Sequence, residues 1–170
     1  MSIFHDRKPL KIIKLKTSDG KIFEIDINLA KRFGTLKTLI EDSELDDNNP
    51  VCLNNISGNV MEKIIEYSLH HFNDPPIPED ISIRERRKSF DRNFITSIDT
   101  DLIFELIVAA NFLDERSLFD LACKSIANII KYKTVDEIRS YFNIKNDFTH
   151  AEEELLKQEN SWAEKTQLFF

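Results

Sequence analysis

KIIKLKTSDGKIFEIDIN, residues 11–28, holds two alternating apolar–polar runs, with Ile12, Phe23, Ile25 and Ile27 among the apolar positions. Ser18-Asp19-Gly20 lies between them. Alternation with period two is the mark of a half-buried strand, and Asp-Gly supplies the positive φ angles of a tight turn, so the stretch reads as a β-hairpin. Downstream, LAKRFGTLKTLIED (29–42) places Ala30, Phe33, Leu36, Leu39 and Ile40 at helical spacing. ELDDNN (44–49) reads as a polar loop and PVCLNNI (50–56) as a third short strand. With three glycines in 170 residues, the strand-forming part of the chain ends there.

The remainder is helical. NVMEKIIEYSLHHF (59–72) sets Val60, Ile64 and Tyr67 along one stripe. NDPPIPED (73–80) must end it, because three prolines in four residues cannot continue a helix. Residues 81–92, ISIRERRKSFDR, carry Arg84, Arg86, Arg87 and Lys88 and read, with 73–80, as a mobile surface insert. DTDLIFELIVAANFLD (99–114) is apolar almost all round, the pattern of a buried helix. SLFDLACKSIANIIK (117–131) follows after a short link and is expected to pack antiparallel beside it. Thr134-Val-Asp-Glu137 and Thr149-His-Ala-Glu152 both fit the capping box, in which threonine accepts the N3 amide and glutamate reaches back. The helices they start carry Ile138, Tyr141, Phe142, Leu155, Leu156 and Trp162, too thin an apolar face for a core of their own. Firm caps on helices short of partners point to a docking surface.

Composition excludes several function classes. The net charge of −7 argues against general nucleic-acid binding, whose affinity comes from neutralising phosphates. No apolar run approaches the ~20 residues of a membrane span, and MSIFHDRKPLK lacks the apolar stretch of a signal peptide. Cys52 and Cys123 lie far apart with no CxxC spacing and read as reduced, buried thiols of a chain made in the cytosol. No glycine-rich phosphate loop, metal-ligand cluster or cofactor motif stands out, and no cofactor is expected.

SDGKIFEID, AKRFGTLKTLIED, HHFNDPPIPED, FELIVAANFLD, LACKSIANIIK and FNIKNDFT followed by EEELLKQENSW together resemble the Skp family, the adaptor subunits of SCF (Skp–cullin–F-box) ubiquitin ligases. The blocks run in order from about residue 11 to 165. The resemblance implies an α/β BTB/POZ fold, a short three-stranded sheet with a helical bundle, followed by two C-terminal helices. It divides the chain into a tail (1–10), a BTB/POZ-like domain (11–131), F-box-binding helices (132–165) and a second tail (166–170). The expected partners are F-box proteins and a cullin scaffold, with a homodimer when the protein is free, in cytoplasm and nucleus.

The family's cullin-facing surface resembles Ala110-Asn111-Phe112-Leu113, which nominates Asn111 and Phe112. The family commonly has tyrosine in place of Phe112; its loss keeps the ring but removes a hydroxyl worth about 0.5–1.5 kcal/mol net if bonded. The F-box-facing surface corresponds to Ile126, Ile130, Ile138, Phe142, Ile144, Phe148 and Trp162. Aromatic anchors of this kind carry most of an interface's energy. Departures from the pattern mark a divergent member. Tyr132 stands where the family has glycine and Val135 where it has proline, so the turn at 131–134 is expected to differ.

Plainer readings compete at each remaining feature. His70-His71 suggests metal or acid–base chemistry, but neighbours on a helix point apart and no carboxylate cluster joins them in the sequence. The RERRK run fits a nuclear-import or phosphate patch and, more simply, a solvated loop. The apolar stripe of 102–113 reads as core apart from its Asn111-Phe112 end. Three classes therefore stand: an F-box adaptor, a self-associating BTB-type scaffold, and a small hydrolase that lacks a recognisable catalytic constellation.

Overall fold

The computed structural model describes residues 11–42, 49–74 and 81–161, without the side chains of 81–84. Strands β1 (Ile12–Thr17), β2 (Ile22–Asp26) and β3 (Val51–Leu53) form one sheet in the order β2-β1-β3. β1 pairs antiparallel with β2, Leu15 opposite Phe23, and parallel with β3, Leu15 opposite Val51. The pleat sends Ile13, Leu15, Thr17, Ile25 and Leu53 inward. The outer face carries Lys14 and Glu24, paired at 3.9 Å.

The hairpin is tighter in mechanism than expected. Within the turn only Gly20 has a positive φ, 83°. Its N–H donates to the Thr17 carbonyl at 2.9 Å and the Thr17 N–H donates to Lys21 at 3.0 Å, a turn closed by a single left-handed residue. Asp19 then reaches beyond the hairpin and accepts the backbone N–H of Gly58 at 3.1 Å.

Eight helices lie among the described residues: α1 (Ile27–Ala30), α2 (Gly34–Asp42), α3 (Gly58–His70), α4 (Ile81–Thr96), α5 (Thr100–Leu113), α6 (Arg116–Ile130), α7 (Val135–Tyr141) and α8 (His150–Glu159). The helix expected over 29–42 is thus two. At 31–33 the bonds shorten, Arg32 N–H to Leu29 and Phe33 N–H to Ala30, and the bend lets Leu29, Ala30, Phe33 and Leu36 all reach the core. Gly34 opens α2 where a Cβ would lie 2.3 Å from Asp114 Oδ2, so the backbone itself meets the end of α5.

Three further expectations are corrected. Residues 81–92 are not a loop but most of α4, which buries Phe94 and Ile95 in the core, while 75–80 lie outside the described residues. Cys52 is exposed and Cys123 half-buried; Cys52 sits at the middle of β3, where the pleat turns it away from its buried neighbour Leu53. Helix α5 is not enclosed on all sides. Ile103, Leu106, Ala109, Ala110 and Leu113 are buried, but Phe104, Val108 and Phe112 are exposed.

The chain forms two compact units that divide between Asn128 and Ile129, inside α6. The first holds the core, where Leu15, Phe33, Ile64, Leu106 and Leu118 are fully buried. In the second no described residue is buried. No described helix is long and apolar enough to cross a membrane.

The two faces of α5 separate in a denaturation experiment. Leu106→Ala opens a cavity in the core and is expected to cost about 2–5 kcal/mol, whereas Val108→Ala on the open face stays within about 0.5 kcal/mol of wild type. Urea unfolding followed by circular dichroism measures both, and equal losses would mean that Val108 is packed.

Candidate functional site

Two groups of exposed apolar residues stand out, one in each unit. In the first unit, Asp99 starts α5 by accepting the Leu102 N–H at 2.8 Å. Asp114 ends it in the left-handed conformation, φ 55° and ψ 41°. Between these caps Phe104, Val108 and Phe112 recur at intervals of four and so share one stripe, 39%, 61% and 40% exposed. A groove of about 460 Å³ runs beside the stripe, lined by Ile56, Ser57, Phe104, Glu105, Val108 and Ala109 among others. The stripe's far end is fixed by Thr35, whose hydroxyl donates to the Phe112 carbonyl at 2.5 Å. Asn111 is exposed beside it and borders a second depression, with Arg116 and Phe119.

Both nominated residues of this surface, Asn111 and Phe112, are therefore accessible. Phe104 and Val108 were missed, because a helix apolar on both faces gives no sign of which face is covered. Their four-residue spacing to Phe112 was the available signal.

The second unit is held by polar contacts. Thr134 Oγ1 accepts the Glu137 N–H at 3.3 Å while Glu137 accepts the Thr134 N–H at 2.7 Å. Thr149 and Glu152 repeat the arrangement at 3.4 and 2.8 Å. Both capping boxes expected from the sequence are thus present, and the threonine N–H bonds hold both glutamate carboxyls below the usual carboxylate range. Arg139 on α7 lies 3.1 Å from Asp136 and 3.5 Å from Glu153 on α8, and its guanidinium sits over the Phe148 ring. Asn146 donates to the same Glu153 oxygen at 2.6 Å. This clasp joins α7, α8 and the segment between them mainly through polar groups, with the Arg139 guanidinium over one face of Phe148.

The apolar side chains accordingly face outward. Ile144 and Phe148 are 55% and 47% exposed, and Leu155 and Val135, not nominated, are exposed as well. Ile130, Ile138 and Phe142 are half-buried. Ile126, in the first unit, is half-buried and packs against the core. Trp162 lies outside the described residues. Asn143 takes φ 52°, and the Ile144 N–H then returns to the Arg139 carbonyl at 2.8 Å, closing the end of α7. At 131–134, Lys133 N–H bonds to Ile130 at 3.0 Å, and Tyr132, 85% exposed, does not enter the left-handed region.

No group of three or more histidine, cysteine or acidic side chains that could hold a metal occurs among the described residues.

Models of the Skp1 family match two parts of the chain, the tetramerisation domain over residues 11–73 and the dimerisation domain over residues 116–163. Two Dictyostelium discoideum proteins, SCF ubiquitin ligase complex proteins SKP1a and SKP1b, are each 42% identical over 159 residues, covering 91% of this chain and 97% of theirs. A Skp1-related protein of Caenorhabditis elegans is 42% identical over 161 residues, 89% of this chain and 91% of its own. The chain belongs to the Skp1 family, and its sheet-and-helix first unit is the BTB/POZ fold of that family.

The caps offer a local test. Thr149→Ala removes the acceptor for the Glu152 N–H and is expected to destabilise α8 by about 0.5–2 kcal/mol. Because the Glu152 pKa is lowered on folding, its support is present above 4.5 and is lost as pH falls through the lowered value. Amide exchange over 150–159 should therefore quicken on acidification beyond the intrinsic effect of pH, and the variant should show a smaller response, because alanine keeps the backbone N–H that bonds Glu152 but loses the hydroxyl.

Proposed function

We propose that the protein is the non-catalytic adaptor subunit of an SCF-type ubiquitin ligase, bridging a cullin to F-box substrate receptors in cytoplasm and nucleus. The observation that carries this reading is one chain with two separate exposed apolar groups. One is on α5 of a well-cored BTB/POZ unit; the other is on a polar-clasped C-terminal unit with nothing buried among its described residues. Such surfaces suit binding to two different proteins. The relatives named as SCF complex proteins support the assignment of partners.

In this reading the cullin meets Asn111 and Phe112, with Phe104 and Val108 extending the contact along α5. F-box helices meet Ile144 and Phe148, with Ile126, Ile130, Ile138, Phe142 and Trp162 as further contacts. Phe112 presents an exposed ring to the cullin at the end of a helix anchored by Thr35. Preorganisation of this sort limits the entropy lost on docking.

Separate variants should separate the partners. Asn111→Lys with Phe112→Lys places two charges where a ring and an amide meet the cullin. Ile144→Lys charges an exposed position on the F-box side, so neither change threatens the core. Each is expected to weaken its own partner by about 2 kcal/mol or more, some thirtyfold, and to leave the other within about threefold. Calorimetry against a cullin N-terminal fragment and an F-box segment reads both. Unchanged cullin affinity in a folded double-lysine variant would sink the cullin half of the proposal.

A second reading, self-association, draws on the family domains' description as dimerisation and tetramerisation domains. Both readings hold together if the free protein covers its apolar residues with a second copy. Sedimentation of the isolated protein should then show a concentration-dependent dimer, and adding an F-box segment should replace it with a one-to-one complex. A free protein that stays monomeric at high concentration removes the self-association.

A further inference from the structure

His71 follows α3 as its C-cap and is 7% exposed. Its two ring nitrogens face two carboxylates: Nδ1 lies 2.6 Å from Asp74 Oδ2 and Nε2 2.9 Å from Asp91 Oδ1. A neutral imidazole carries one N–H and one lone pair, so with both aspartates ionised it sets that lone pair against an oxygen at hydrogen-bond distance. Only the imidazolium donates to both. The sequence reading missed this cluster because Asp91 is twenty residues away and reaches the ring through the packing of α4.

The surroundings favour the charged ring. Burial pushes His71 down, but its bonds to Asp91 and Asp74 and the charges of those carboxylates outweigh it, leaving the pKa above the ordinary 6.5. For Asp74, burial acts upward, and the His71 bond with the Arg87 charge overcomes it, holding the carboxyl below 3.8. Arg87 of α4 places Nε 2.5 Å from Asp74 Oδ2, and Arg32 donates to the His71 carbonyl at 2.5 Å. The two neighbouring rings, His70 and Tyr67, are shifted to opposite sides of the range where His71 changes. His70 is pushed down by burial and by the charge on His71. The Tyr67 phenol is pushed up to about 12, chiefly by burial, with Asp91 and Glu115 adding to the effect.

The same cluster joins two helices. Phe90 of α4 stacks on His70 with centroids 3.5 Å apart, and Phe94 lies 5.5 Å from Tyr67. These contacts hold the apolar side of α4 against α3; Asp91 to His71 is the polar contact beside them. We propose that His71 is a proton-controlled clamp, closed as the imidazolium between Asp74 and Asp91, whose deprotonation loosens α4 from the end of α3. Asp74 sits in the adjoining turn at the shorter distance and keeps Arg87 when the ring loses its proton. The Nδ1–H tautomer is then retained and the lone pair falls toward Asp91, so α4 loses its Asp91 contact and loosens there, while Arg87 still ties it to Asp74. Arg86, Lys88 and Arg92, all exposed on α4, move with it.

The direction with pH comes from the shifts. A histidine whose pKa rises on folding contributes fully below 6.5, and the contribution is lost as pH climbs through the folded value. Asp74, lowered on folding, contributes above 3.8 and fails only on strong acidification. The clamp is closed between those limits and opens on the alkaline side.

Hydrogen exchange of the full-length protein at pH of about 6 and about 8.5, with times scaled to intrinsic rates, reads the clamp directly. Protection of 85–96 is expected to fall about fivefold or more at the higher pH, as a charge-assisted bond becomes a repulsive contact, while α5 keeps its protection. In Asp91→Asn the side-chain amide can donate to the ring's lone pair or accept from its N–H, and the pH response of α4 should vanish. Long-range ¹H–¹⁵N spectra of the His71 ring should report the imidazolium at the lower pH. Wild-type protection of α4 that is the same at both pH values overturns the proposal, as does a neutral ring at the lower pH. An Asp91→Asn protein that keeps the wild-type response also overturns it; should that variant not fold, the two wild-type measurements decide.

Discussion

The hydrogen bond from the Gly58 N–H to the Asp19 carboxylate joins the sheet to the helices, and much of the first unit is arranged around it. A helix leaves its first amides without intrahelical partners. Ser57 stands at the N-cap of α3 but makes no side-chain capping bond. The acceptor comes instead from the hairpin tip, where Ser18 N–H also bonds to the Ile56 carbonyl at 2.9 Å. The approach is close enough that a Cβ on Gly58 would lie 2.3 Å from Lys21 Cδ. A bond to Thr17 heads the influences that keep the Asp19 carboxyl below its ordinary range, and the Gly58 N–H adds to it, so the acceptor is charged at neutral pH.

Once α3 is placed, its sides determine where α4 and α5 can pack. Val60, Met61 and Ile64 meet the core, where α3 and α5 pack together. Ala109 and Ala110 are small enough for α5 to approach closely. That leaves Phe104, Val108 and Phe112 on the opposite side, where no described element covers them. At its other end, α3 offers Tyr67, His70 and His71 to α4. One helix therefore sets both the open face of α5 and the seat of α4.

The features readable in advance were those whose physics is local. Asp19-Gly20 announces a turn because one residue's φ must be positive, and Thr134 and Thr149 announce helices because the capping partners lie three residues on. Features settled by distant partners were not readable. The break at 31–33 answers the need to bury Phe33 and Leu36 together, and α4 forms although its most basic stretch resembles a solvated loop. Cys52 looked like a core residue until its place in a three-residue strand turned it outward. The candidate site divides the same way. Asn111 and Phe112 were nominated through the resemblance and are exposed, whereas Phe104 and Val108 needed the structure to say which side of α5 is buried.

The two units use opposite strategies for the same end. In the first, a filled core holds α5 rigid so that its outer stripe can stay apolar at no risk to the fold. The second has too few residues for a core, and a helix pair of this length is marginal alone in water. Apolar contacts turned inward could have stabilised it, but they would have consumed the side chains that the proposed function assigns to a partner. Instead the capping boxes and the Arg139–Glu153–Asn146 clasp supply order through polar groups. Each such contact is individually weak, because exposed pairs are screened by water and salt. The unit is therefore ordered enough to present Ile144, Phe148 and Leu155, yet retains apolar surface whose burial a partner can complete.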